Sequence, residues 1–191
     1  MSLIGRLLKP FIKPEKQDSE PAINPIPTVK FDPSSVSEGV RADLRRNIGL
    51  IDDVDKEHFE LVYQAAAKSI SAGGNLPVLF TALMQCEGMT KGRAGEIARF
   101  LSNRAMSLIS RERQRALGIT HAVWMYANAP CMTNPSAPTD KDIQQDAAHC
   151  AANSTRYEIS KGLLLDGKWT WPGVEAGCKC TSRPVLPGLE E

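Results

Sequence analysis

Apolar and polar residues recur with a helical period over three stretches of the chain. Phe59, Val62, Tyr63, Ala66 and Ile70 keep the spacing of one helix face, which predicts a helix over residues 55–72. Asp55 is placed to cap it, and Gly73-Gly74-Asn75 stops it. Pro77 suits the first turn of a second helix, residues 76–86, where a missing N–H leaves nothing unpaired. Cys86 falls on its apolar side with Leu79, Leu83 and Met84, as a core residue. Thr90 caps the longest helix, about residues 91–117, whose buried face is marked by Ala94, Ile97, Ala98, Leu101, Ala105, Leu108, Ile109 and Leu117. A cap signal at Ser34-Ser35 opens a shorter helical stretch ending near Asn47.

After Gly118 the period shortens. Ile119 to Tyr126 is rich in β-branched and aromatic residues and reads as a strand. Pro130, Pro135 and Pro138 make residues 128–140 a loop. Residues 141–152 read as a short helix capped by Thr139 or Asp140, with Asp142, Asp146 and His149 at spacings that share a face. Tyr157–Leu165 and Lys168–Trp171 are expected to pair as a hairpin turning at Asp166-Gly167, and Cys178 and Cys180 to lie on one face of a strand.

The start of the chain differs. Residues 1–14 interleave Arg6, Lys9 and Lys13 with Leu3, Ile4, Leu7, Leu8, Phe11 and Ile12. They lack the uninterrupted apolar core of a signal peptide, and no segment reaches transmembrane length, so stable membrane insertion is not expected. A membrane-surface helix and an anchor for a partner both fit. Pro10 and Pro14 favour the anchor, and fraying of a terminus is the plainest reading. Pro14, Pro21, Pro25, Pro27 and Pro33 then impose an extended course. The fold class is therefore α+β: an extended arm (1–38), a helical domain (39–117), a small α+β Cys/His domain (118–187) built on a β-hairpin, and a tail (188–191).

Charge changes little globally, since the formal net charge is +1. It is uneven locally. The helix over 91–117 carries Lys91, Arg93, Arg99, Arg104, Arg111, Arg113 and Arg115 against only Glu96 and Glu112. Such a stripe can meet DNA phosphates without reading sequence, meet an acidic partner, or stay solvated.

The chemistry concentrates between Cys131 and Cys180. Clustered Cys and His without an export signal point to a metal before disulfides. A disulfide between Cys178 and Cys180 would be strained, whereas zinc accepts two such thiolates if two further N or S ligands arrive. His149 is the third candidate, and Cys131 or Cys150 the fourth. The competing reading is a set of buried, packing thiols. A closed Cys/His set is structural. It would tie loop, helix and hairpin together in a domain too small for a large core, with Trp124, Trp169 and Trp171 supplying apolar contact. Asp146, His149 and Cys150 also allow a zinc-dependent hydrolase, a nuclease or toxin-type domain. However, adjacent His149 and Cys150 project in different directions, and no His-Glu-x-x-His or Gly-x-Ser-x-Gly is present.

The order of these features resembles a known family. Gly118-Ile119 with Trp124, then Tyr157-Glu158-Ile159-x-Lys161-Gly162, then Gly167-Lys168-Trp169-x-Trp171-Pro172-Gly173, then Gly177-Cys178-Lys179-Cys180-x-x-Arg183-Pro184-Val185 are similar to the C-terminal domain of phage minor head proteins. These are the Mu protein F-like and SPP1 gp7-like head morphogenesis proteins. The resemblance covers about residues 90–187. It departs at Cys150-Ala151-Ala152-Asn153, where a Gly often follows the family's His, at Lys179, where Arg is commoner, and in a shorter N-terminal helical region. It implies a virion structural protein in the head of a tailed phage or prophage, assembled in the host cytoplasm with portal and major capsid or scaffolding proteins.

Overall fold

A computed structural model describes residues 36–186 and Gly188. Most of the expected arm, including Ser34-Ser35 and the basic segment 1–14, and most of the expected tail lie outside the described residues. Four helices come first: α1 (Glu38–Ile48), α2 (Phe59–Ser71), α3 (Leu76–Leu83) and α4 (Lys91–Ala116). They pack as α1 on α2 and α4, α2 on α3, and α3 on α4. The period seen in the sequence is the reason: Val40, Leu44, Ile48, Val62, Ala66, Ile70, Leu79, Leu83, Ile97 and Leu101 all turn into one core. Cys86 belongs to that core.

Local chemistry sets the ends. The observed cap of α1 is Ser37, whose Oγ accepts the Val40 N–H and donates to Glu112 on α4. Asp55 caps the turn before α2, accepting from the His58 N–H at 2.9 Å, and the helix itself starts at Phe59. Thr90 caps α4 as expected. At the other end, Ile119 N–H donates to Gln114 O and Gly118 N–H to Arg115 O, the paired bonds of a Schellman stop. With 26 residues, α4 is the spine against which both halves rest.

Beyond it lie β1 (His121–Met125), α5 (Asp140–Ala151), β2 (Arg156–Glu158), β3 (Leu163–Leu165), β4 (Lys168–Thr170) and β5 (Thr181–Pro184). β1 is the centre of a three-stranded antiparallel sheet in the order β2-β1-β5, and β3 and β4 form a separate two-stranded hairpin. Asp166 and Gly167 make its turn, both at positive φ (48° and 76°), as a two-residue type I′ turn requires. The second core gathers Ile119, Ala122, Trp124, Tyr157 and Ile159 around Cys131, Cys178 and Cys180.

Further expectations change here. Leu117, expected on the buried face of the long helix, is its C-cap and stands 76 % exposed. Tyr157 does not continue the hairpin but pairs with Ala122 in the other sheet. The chain breaks after Glu158, where the N–H groups of Lys161 and Gly162 both return to its carbonyl. Trp169 is 54 % exposed on the open hairpin, so the apolar role falls to Trp124 and the partly buried Trp171. Cys178 and Cys180 precede β5 rather than lying on a strand, with Cys178 closing a turn on Glu175 O. No helix among the described residues is long and apolar enough to cross a membrane.

Candidate metal centre

The scaffold of the centre is α5. Thr139 and Asp142 form a capping box at its start, as the sequence suggests. Hydrogen bonds to its backbone neighbours hold the Asp142 carboxyl down at about 2, the Thr133 N–H contributing most and Thr139 next. The same face continues through Gln145, Asp146 and His149. Asp142 Oδ1 accepts from Thr133 N–H (3.0 Å) and Asp146 Oδ1 from Cys131 N–H (2.7 Å) and Tyr126 OH (2.8 Å). Gln145 Nε2 donates to Cys131 O and Ala176 O, both at 2.8 Å. One helix face thereby fixes the loop on either side of Cys131 and joins it to the loop before Cys178. His149, on that face, is buried and meets the fully buried Trp124 edge-on at 5.2 Å.

Cys131, His149, Cys178 and Cys180 come together there, all buried, with their ligand atoms within 4.8 Å of one another. Cys131 Sγ is 3.5 Å from Cys180 Sγ, and Cys180 Sγ is 3.8 Å from His149 Nδ1. A tetrahedral ion with metal–sulfur bonds of about 2.3 Å places sulfurs roughly 3.8 Å apart, so the set is sized for a metal ion. The backbone also serves the sulfurs: Gly173 N–H donates to Cys178 Sγ (3.3 Å) and Lys179 N–H to Cys131 Sγ (3.5 Å). These bonds favour thiolate, the form that ligates.

The proton balance agrees. Hydrogen bonds from Cys178 and Cys180, with help from His149 and the Lys179 N–H, push the Cys131 thiol far down against its burial. The same contacts to Cys131 and Cys178 push Cys180 up. Burial alone would lower the His149 imidazole, but the sulfurs of Cys131 and Cys178 hold it up to about 10. Ligation takes deprotonated thiolates and a neutral imidazole, so a divalent ion would displace protons from the cluster on binding.

Sequence reasoning left Cys131 and Cys150 as alternatives. Cys150 is exposed and stands outside the cluster, because one residue along a helix turns the side chain by about 100° from His149. His121 also lies outside it, on β1 beside Thr120. Sequence reasoning missed Gln145, although its spacing from Asp142 and His149 places it on the same face.

Gly177 stands in the family pattern, but its steric role was missed. At φ +74° it passes so close to the neighbouring loop that a Cβ would stand 2.4 Å from Met132 C and 2.5 Å from Thr133 N. Those are backbone atoms and cannot give way cheaply. Gly177→Ala is expected to destabilise by at least about 2 kcal/mol. It should also hasten metal loss to a chelator. Gly167→Ala, also at positive φ (+76°) but with nothing within 4 Å of an added Cβ, should bear the conformational strain alone. Urea midpoints and chelator kinetics on both variants check this.

The six arginines of the basic helix divide. Arg93 pairs with Asp53 (2.7 Å) and Glu96 (3.6 Å). Arg104 turns inward, with Nε on Asp43 Oδ2 at 2.6 Å and a further bond to Val174 O at 3.1 Å. Arg111 lies over the Trp171 ring at 4.1 Å. Arg99, Arg113 and Arg115 are exposed. Arg99 and Arg115 are open to a phosphate or an acidic partner.

The described residues therefore make an α+β fold with a buried four-residue Cys/His cluster spaced to bind a metal ion. Comparison with protein-family models, with curated proteins and with solved structures gave no match.

Proposed function

We propose that this chain is a structural minor head protein of a tailed phage or prophage, whose C-terminal module is closed by a zinc ion on Cys131, His149, Cys178 and Cys180. The observation that carries the reading is the closed, buried ligand set. Three thiolates and an imidazole complete a tetrahedral ion and leave no position for substrate or water, which is the pattern of a structural zinc. Softness of the ligands favours zinc over magnesium or calcium. The resemblance of residues 90–187 to head morphogenesis proteins supplies the assembly role, with portal and major capsid or scaffolding proteins as partners. The place of action is then the host cytoplasm during assembly and the virion head afterwards. Arg99 and Arg115 are the side chains for contact with packaged DNA.

A hydrolase would need an open coordination position and a free base. Asp146, the carboxylate on the ligand face, instead holds Tyr126 and the Cys131 backbone. The test is co-expression with the portal and major capsid proteins of the phage or prophage that carries it. The expected result is about one zinc per chain by elemental analysis and co-purification of the protein with head particles. Its absence from those particles, or metal-dependent nicking of DNA by the purified chain, would overturn the reading.

A further inference from the structure

We propose a second, exchangeable metal site in the helical half, formed by Asp55, His58 and Cys86 and suited to a zinc-class divalent ion. The three residues come from two separate segments: Asp55 and His58 from the connection between α1 and α2, and Cys86 from the turn that follows α3. Their oxygen, nitrogen and sulfur donors lie within 4.8 Å of one another. His58 Nδ1 is 2.8 Å from Asp55 Oδ2 and 2.9 Å from Oδ1, so an ion entering there exchanges with the proton they share. The Asp55 backbone turn is already fixed by the His58 N–H, which pre-orders the pair.

Cys86 forms the inner wall at 4 % exposure, while Asp55 is exposed and His58 partly so. Burial pushes the Cys86 thiol up, and the negative charges of Asp55 and Asp53 push it further. The Asp55 charge attracts a cation, and a bound cation stabilises the thiolate. Arg93, the cation nearest Asp53, is itself committed to Asp53 and Glu96. A mixed O, N, S set favours zinc or cobalt over magnesium or calcium, which take all-oxygen shells. Three protein ligands leave a fourth position facing solvent. This site therefore exchanges metal readily, unlike the buried centre, and an ion in it clamps the α1–α2 connection to the end of α3.

The test loads full-length protein with a single equivalent of zinc, which the buried centre takes first, and titrates it with cobalt(II). Wild type is expected to take up a further equivalent and to show thiolate-to-cobalt charge-transfer absorption. His58→Ala, a surface change, should lose both with its circular dichroism unchanged, and Cys86→Ser should lose the absorption. If the buried centre holds no zinc, cobalt fills it too, and the difference between wild type and His58→Ala still reads the second site. No further uptake by wild type, or uptake and absorption identical in His58→Ala, would overturn the proposal.

Discussion

Cys178→Ser is expected to abolish metal binding at the buried centre and to unfold the C-terminal half while α1–α3 stay folded. Cys178 is fully buried, and its sulfur is held by the Gly173 N–H. Serine at that position offers a hard, protonated oxygen in place of a thiolate and leaves three ligands around the ion. In small zinc domains, metal binding free energy of roughly 10–16 kcal/mol is also folding free energy. Losing a ligand should therefore remove more than about 5 kcal/mol from the half that depends on it. That half has little else: its strands run three to five residues, and its core is a handful of side chains around Trp124. After a mild chelator has stripped exchangeable metal, elemental analysis should find none in the variant. The near-ultraviolet signal of the buried Trp124 should collapse while most of the far-ultraviolet helical signal persists. Cys150→Ser, at an exposed thiol one residue from His149, should change neither. Retention of metal and of the Trp124 signal in Cys178→Ser would rule out the ion as the element that closes this half.

The ligands were legible because zinc chemistry restricts residue type as well as place. Few reasons bring His149, Cys178 and Cys180 into the last third of a chain with Cys131 upstream. The helices were legible because amphipathic period is local, and so was the turn at Asp166-Gly167, where two positive φ angles call for those residue types. What could not be read was the choice of distant partner. Tyr157 has the same strand-forming character whether it pairs with its sequence neighbour or with Ala122, and only the assembled second core decides. Trp169 and Trp171 are both large aromatics two residues apart. The structure exposes the first, while the second donates its Nε1–H to Ile159 O and packs under Arg111. The Cys-x-Cys pair looked like strand residues because the Gly177 turn that delivers them is fixed by a loop more than forty residues earlier in sequence. A basic helix face likewise records charge but not where Asp43 will be.

That last residue gives the second large expected effect. Arg104 and Asp43 form a two-pronged pair, with Nε to Oδ2 at 2.6 Å and a second guanidinium nitrogen to Oδ1 at 2.8 Å. Their side chains are 21 % and 8 % exposed. The remaining arm of Arg104 donates to Val174 O, in the segment leading to Cys178. One guanidinium thus links α1, α4 and the metal-bearing loop, beside Ser107, which donates to Pro172 O.

Removing one partner of a buried pair leaves the other charge desolvated and alone, so Asp43→Ala is expected to cost about 3–5 kcal/mol. Replacing both, as Asp43→Leu with Arg104→Met, should restore most of that loss, because an apolar pair needs no solvation. Burial alone would raise the Asp43 carboxyl, but Arg104 and then Arg46 outweigh it and hold it below the ordinary 3.8. A carboxyl lower in the folded than in the unfolded state stabilises fully above its unfolded value. The stabilisation is lost as pH falls through the folded value. The gap in urea midpoint between wild type and Asp43→Asn should therefore be widest near neutrality and close below about pH 4.

Single arginine variants separate two roles for the basic helix. If Arg104 is a structural clamp, Arg104→Ala lowers stability and speeds metal loss through the Val174 segment, with any DNA affinity and its salt dependence unchanged. Arg99→Ala and Arg115→Ala should do the reverse. A weaker salt dependence of DNA binding in Arg104→Ala at full stability would place Arg104 on the contact surface instead, and would require the Asp43 pair to open.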